Sequence, residues 1–105
     1  MDERPLSIPS DHPAFAGHFP GHPVVPGVVL LDEALSVIAA AERVEPGPWH
    51  LSAVKFQSPV TPGEPLLLRW QAVAPGGWRF EILAAGRRVA TGSAQATDRQ
   101  GAGTP

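Results

Sequence analysis

The segment 11–27, "DHPAFAGHFPGHPVVPG", constrains this chain more than any other stretch, because it holds four prolines and three glycines. Proline fixes one backbone angle and has no amide hydrogen, and glycine favours turns. This density excludes regular structure and predicts a loop with a fixed path. Because proline is tolerated in a first helical turn, a helix is predicted to begin at about Pro26–Gly27. We expect it to end near Val44, before the "EPGP" at 45–48.

The predicted helix has two unlike halves. Its first half, "VVLLDEAL" at 28–35, is apolar on nearly every side, which is typical of a helix enclosed by other elements. Its second half, "SVIAAAER" at 36–43, is rich in small residues that allow close packing. We therefore expect Asp32 to lie in an apolar environment.

Alternating apolar and polar residues predict an antiparallel sheet after the helix. The predicted strands, separated by glycine- and proline-bearing turns, are 50–57, 66–73, 78–84 and 88–96. A further edge strand is predicted at 4–10, since its prolines confine it to an edge. The large aromatic side chains predicted to fill the core are Phe56, Trp70, Trp78 and Phe80.

One apolar helix followed by an antiparallel sheet of about four strands predicts an α+β hot-dog fold, in which the sheet wraps around the helix. The length of 105 residues suits one domain, predicted at 1–97, with a disordered tail at 98–105. A domain of this size buries only roughly 60–65% of the surface of its unfolded chain. Association with a second copy is therefore expected to complete the core.

Composition excludes several classes of function. The formal net charge is −2 and there is no basic cluster, so nucleic acid and anionic membranes are poor partners. There is no cysteine, which excludes disulfides and thiolate metal sites. The first ten residues lack the apolar core of a signal peptide, and no apolar run approaches the roughly 20 residues of a membrane span. We expect a cytoplasmic protein.

Two features converge on residues 18–32. The backbone N–H groups of Gly27 and Val28 lie at the positive end of the helix dipole, where they can stabilise a carbonyl oxygen as it gains negative charge. Burial of Asp32 would favour its neutral, proton-donating form, and His18 could accept a proton near neutral pH. Each residue also has a structural interpretation: an acid early in a helix is favourable with the dipole, which suits Glu33 better, and His18 could be a hydrogen-bonding loop residue.

Metal binding is not predicted. His18 and His22 have the four-residue spacing of helical zinc ligands, but Pro20 and Pro23 exclude a regular helix there. His12 and His50 belong to no pattern and are predicted at the surface.

The stretch "GHFPGHPVVPGVVLLDEA" at 17–34 resembles the signature of the hot-dog 3-hydroxyacyl-[acyl-carrier-protein] dehydratases, the FabA/FabZ group. A second stretch, "AVKFQSPVTPGEPL" at 53–66, is similar to the strand–turn–strand of the same family. Together the two stretches cover about a third of the chain in the family's order, so the resemblance is specific.

The resemblance implies removal of water from a (3R)-3-hydroxyacyl thioester. The family's histidine, which removes the C2 proton, matches His18, and its acid, which protonates the departing hydroxyl, matches Asp32. It further implies that Gly27 or Val28 holds the thioester oxygen. The other positions that match the family's substrate site are Phe19, Pro26 and Ser36.

The same resemblance implies no cofactor, an acyl carrier protein or coenzyme A thioester as substrate, and a homodimer whose two chains share each site. Three alternatives stay open. Glu33 could replace Asp32 after a one-residue shift of the helix. Ser36 stands where the family usually has a supporting glutamine, and fewer residues precede His18 than in the family, which favours a non-catalytic subunit that binds acyl thioesters. A hot-dog thioesterase is the third alternative.

Overall fold

The computed structural model describes residues 1–6, 8, 25–44, 48–73 and 76–96. It contains these elements: β1 (Asp2–Leu6), α1 (Gly27–Glu42), β2 (Trp49–Phe56), β3 (Leu66–Val73), β4 (Gly77–Ala84) and β5 (Arg87–Ala96). The predicted loop as far as residue 24, the predicted tail at 98–105 and the catalytic candidate His18 lie outside the described residues.

The strands form one antiparallel sheet in the order β1-β3-β4-β5-β2. The four strands predicted after the helix are all present, and the predicted edge strand is β1, which pairs with β3 and is observed at Asp2–Leu6. Residues Ala85 and Gly86, both at positive φ, make the two-residue turn that joins β4 to β5. The α+β hot-dog architecture predicted from the order of the elements is confirmed.

The core lies between α1 and one face of the sheet. The helix buries Leu30, Ala34 and Ile38, whose spacing of four residues puts them on one side. From the sheet, Trp70 and Phe80 are 1% and 2% exposed and confirm their predicted place in the core. The full set of buried apolar residues is Leu6, Ile8, Val25, Leu30, Ala34, Leu35, Ile38, Val60, Leu66, Leu68, Trp70, Phe80, Ile82, Ala84, Val89, Ala90 and Ala94.

Two predictions about burial are wrong for the single chain. Phe56 is 51% exposed, because its ring lies over the start of α1 instead of between helix and sheet, whereas Trp78 is partly buried and packs against the core. The first half of α1 is not enclosed either. Its exposed residues Val28, Asp32 and Ser36 are four apart, so they lie on the side of the helix turned away from the sheet. We call these three residues the open helix face.

The far end of α1 is closed by a backbone motif. Arg43 adopts a left-handed conformation with φ of 58°, and the N–H of Val44 donates to the carbonyl of Ala39 at 2.9 Å. The N–H of Arg43 donates to Ala40 at 3.4 Å, which completes a Schellman motif. The indole N–H of Trp70 also donates to the carboxylate of Glu42 at 2.8 Å, which joins this helix end to the sheet.

Replacing Arg43 with glycine is expected to stabilise the protein by about 0.5–1 kcal/mol, because a left-handed conformation strains a residue that carries a Cβ. The gain corresponds to a rise in Tm of roughly 2–8 °C for a domain of this size. Thermal and urea unfolding measure it. Arg43→Ala is the control, since it removes the guanidinium but keeps the Cβ. A glycine variant no more stable than the alanine variant would contradict the strain argument.

Candidate active site

The start of α1 presents backbone N–H groups without a side-chain cap. Pro26, extended at φ −60° and ψ 143°, accepts hydrogen bonds from the N–H groups of Val29 at 3.0 Å and Leu30 at 3.2 Å. The N–H groups of Gly27 and Val28 precede these first helical bonds. No acidic side chain lies in the first turn to compete for them. Together with the helix dipole, they can stabilise an oxygen that carries partial negative charge.

A cavity of about 470 Å³ opens at this end of the helix. Its lining residues are Val25, Gly27, Leu30, Phe56, Gln57, Ser58, Pro59 and Val60. A Cβ on Gly27 would come within 2.7 Å of Cζ of Phe56, so glycine allows that ring to pack directly on the helix start. The cavity therefore combines largely apolar walls with the positive end of the helix at Gly27, which suits a ligand that has an apolar chain and a carbonyl.

One wall of the cavity is the segment 57–60, which is fixed by hydrogen bonds to its neighbours. The N–H of Gln57 donates to the carbonyl of Val89 at 2.7 Å, and the N–H of Val25 donates to the carbonyl of Val60 at 2.8 Å. Val60 is 1% exposed. These contacts join β5 and the residues just before α1 to the same wall.

The wall continues into a tight turn at residues 61–64. The N–H of Glu64 donates to the carbonyl of Thr61 at 3.2 Å, with Gly63 at φ 80°. The Glu64 carboxylate accepts from the N–H of Thr61 at 3.2 Å, and its other oxygen pairs with Arg87 at 3.2 Å. The Thr61 N–H lowers the pKa of Glu64 most; burial opposes this, and the Arg87 guanidinium lowers it further.

This carboxylate gives a testable pH dependence. Because folding holds the pKa of Glu64 below its ordinary 4.5, the folded state favours the ionised form. The stabilisation is present above the unfolded-state pKa and is lost as pH falls through the lower folded-state value. We expect wild type to lose more stability than Glu64→Gln between about pH 6 and pH 3, measured by urea unfolding at each pH. Parallel losses in the two proteins would contradict this role.

Asp32 does not face this cavity in its own chain. At 100° per residue it points about 140° away from Gly27 around the helix, on the open helix face. The expectation that Asp32 is buried is therefore wrong for the single chain, because the acid lies opposite the residues that pack on the sheet. Ser36 lies one turn further on the same face, and Glu33 is half-buried. Phe19 and His18 lie outside the described residues, so their positions relative to Asp32 stay predictions.

The structure adds cavity residues that sequence reasoning missed. The alternating pattern predicts Phe56 in the core and gives no role to Pro59, although both residues belong to the "AVKFQSPVTPGEPL" stretch that carries the second resemblance. In the described part of the chain, no group of three or more His, Asp or Glu side chains could hold a metal ion. His50 is exposed, as predicted. None of the described helices is long and apolar enough to cross a membrane.

The comparison with protein-family models decides the family. The model described as ApeI-like, ApeI dehydratase, matches residues 3–93, which is most of the chain. The chain belongs to the ApeI-like dehydratase family. Among curated relatives of this ApeI-like chain, the 3-hydroxyacyl-[acyl-carrier-protein] dehydratase FabZ of Myxococcus xanthus is 36% identical over 87% of the chain and 68% of the relative.

A FabZ of Wolbachia sp. subsp. Drosophila simulans is 34% identical over 74% of the chain and 61% of its own length. The ApeI-like chain thus spans only about two thirds or less of these relatives.

Solved structures agree on the fold. The dehydratase heterocomplex ApeI:P from Xenorhabdus doucetiae matches with a TM-score of 0.71 and 28% identity, over 89% of this chain and 83% of that chain. A mutant of the fluoroacetyl-CoA-specific thioesterase FlK matches with a TM-score of 0.61 and 17% identity, over 90% and 84% of the two chains. The likeness to FlK shows the shared hot-dog fold alone.

Proposed function

We propose that this ApeI-like protein is a (3R)-3-hydroxyacyl thioester dehydratase that forms the trans-2-enoyl thioester. The observation that carries the proposal is the largely apolar cavity lined by Gly27 at the start of α1, where the first backbone amide groups precede the helical hydrogen bonds, in a member of a dehydratase family. An acyl chain fits such walls, and a thioester oxygen fits such amide groups.

In the proposed reaction, His18 removes a proton from C2 of the substrate. The electron pair left at C2 delocalises onto the thioester oxygen, which the amide groups of Gly27 and Val28 stabilise. The electron pair then forms the C2–C3 double bond as the C3–O bond breaks. Asp32 donates the proton that turns the departing hydroxyl into water. The thioester already acidifies C2, so the proposal requires no cofactor.

We further propose that two copies share each site. β2 is the last strand of the sheet and has one free edge among the described residues, and its residues Leu51 and Val54 are only partly buried. A second copy that pairs along this edge would continue the sheet and bring its own groups to the open helix face. This arrangement explains how Asp32, exposed in its own chain, could meet His18 of another.

The names of the FabZ relatives support an acyl carrier protein as the source of the substrate. A coenzyme A thioester carries the same reacting group and stays an alternative. The dehydratase heterocomplex ApeI:P supports assembly of this chain with a second subunit.

The decisive assay incubates purified protein with a 3-hydroxyacyl thioester of carrier protein or of N-acetylcysteamine and follows the absorbance of the enoyl thioester. We expect enoyl product without release of free thiol. A free thiol without enoyl product would favour the thioesterase alternative. Tight binding without either product would favour the non-catalytic subunit, for which Ser36 in place of the family's glutamine is the supporting observation.

A further inference from the structure

A side-chain cluster outside the proposed catalytic groups joins two turns at the cavity end of the sheet. Arg87 is the first residue of β5, and its guanidinium donates to the carbonyl of Pro59 at 3.1 Å. The same nitrogen pairs with the carboxylate of Glu64 at 3.2 Å. We call Arg87, Glu64 and the Pro59 carbonyl the turn clasp.

The turn clasp acts on a segment that lines the cavity. Pro59 and Val60 line the cavity together with Gly27 at the start of α1, and they follow the last residue of β2 that pairs in the sheet, Phe56. Arg87 supplies a side-chain donor to the Pro59 carbonyl, and Glu64 holds the guanidinium in place while it also accepts from the N–H of Thr61. The guanidinium of Arg87 thus holds the backbone of Pro59 in place beside the cavity.

Arg88, the next residue in β5, serves as a comparison because its side chain does not make these contacts. It is exposed, and no ion pair or hydrogen bond of its side chain is found within the described residues. Arg87 and Arg88 have the same charge and follow one another in β5, but within the described residues only Arg87 of the two contacts the segment 59–64.

We propose that Arg87 is a positioning residue for the acyl-binding cavity, which acts through Glu64 and the Pro59 carbonyl and governs KM rather than kcat. The inference rests on the proposed function, because the ligand it positions is the acyl thioester. Arg87 itself lies outside the cavity lining and touches no reacting atom in the proposal.

The test compares Arg87→Ala, Arg87→Lys and Glu64→Gln with wild type. An exposed ion pair with one added hydrogen bond supplies roughly a fivefold effect, so we expect Arg87→Ala to raise KM about fivefold with kcat within twofold of wild type. Lysine keeps the charge and one donor, so it should restore part of the loss. Glu64→Gln should raise KM about twofold, since it weakens only the ionic contact.

Two controls separate positioning from a general loss of stability. Arg88→Ala removes a neighbouring charge and should leave KM unchanged. Glu42→Ala removes the bond to Trp70 at the other end of the helix, so it should lower Tm without raising KM. A rise in KM for Glu42→Ala equal to that for Arg87→Ala would overturn the inference, as would an unchanged KM in Arg87→Ala.

Binding of an unreactive alkyl thioether of pantetheine distinguishes failure of this inference from failure of the proposed function. If wild type binds the thioether but makes no enoyl product, the dehydratase proposal fails, and a weaker Kd in Arg87→Ala still supports the inference. If wild type dehydrates its substrate and Arg87→Ala shows an unchanged KM and Kd, only the inference fails. If wild type neither binds nor reacts, both fail.

Discussion

Replacing His18 with alanine is expected to lower kcat for dehydration by roughly 10²–10⁴-fold, because the proposed base that removes the C2 proton is lost. KM should change much less, since the apolar walls and the amide groups that are proposed to bind the acyl thioester are intact. The measurement is steady-state formation of enoyl thioester. A single-turnover experiment with excess enzyme checks that the chemical step, and not release of product, is slowed.

The matched control is His12→Ala, which removes another histidine of the same proline-rich sequence that lies outside the family motif. It should keep full activity. Added imidazole should restore part of the activity of His18→Ala, because a free base can enter the space left by the side chain. Full activity of His18→Ala would remove the proposed mechanism, whatever the fold of the protein.

Replacing Asp32 with asparagine is expected to lower kcat by a similar roughly 10²–10⁴-fold, because the amide has the shape of the acid but cannot donate its proton to the departing hydroxyl. Because asparagine keeps the size of the side chain, the change should alter stability by no more than about 0.5 kcal/mol. Glu33→Gln is the control for the adjacent acid. Loss of activity in Glu33→Gln with full activity in Asp32→Asn would move the role to Glu33.

Asp32 also allows a test of whether two chains share each site. His18→Ala and Asp32→Asn, co-expressed with different tags and purified through both, form a mixed dimer. If each site takes the histidine from one chain and the acid from the other, one of its two sites is intact, and its activity should be about half that of wild type. A mixed dimer as inactive as its parents would show that both groups come from the same chain.

The order of elements follows closely from the sequence. The helix predicted from about Pro26 to Val44 is observed at Gly27–Glu42, because the sequence places a proline before its start and prolines at 46 and 48, soon after its end. The strand predicted at 66–73 is observed at Leu66–Val73, since alternation of apolar and polar residues fixes which face is buried. These features depend on residues that are close together in the chain, so they can be predicted from the sequence.

The motif residues could also be found from sequence, because the spacing of His18, Gly27 and Asp32 is a property of the chain. The arrangement of the site residues in space could not be predicted from the sequence. Phe56 continues an alternating apolar pattern that predicts a place in the core. Its ring lies instead over Gly27 at the start of the helix, where half of its surface is exposed. The alternation of apolar and polar residues predicts the face of the sheet to which a side chain points. Whether that side chain is buried depends on where the helix packs on the sheet.

The amino-acid sequence by itself determined the helix, the strands, the antiparallel sheet and the family motifs, because each depends on residue type and spacing along the chain. Only the tertiary structure decided that the helix leaves Asp32 and Ser36 on an open face, and that Arg87 reaches the Pro59 carbonyl beside the cavity. These contacts join residues far apart in the chain, and their distances depend on how the helix and the turns pack against the sheet.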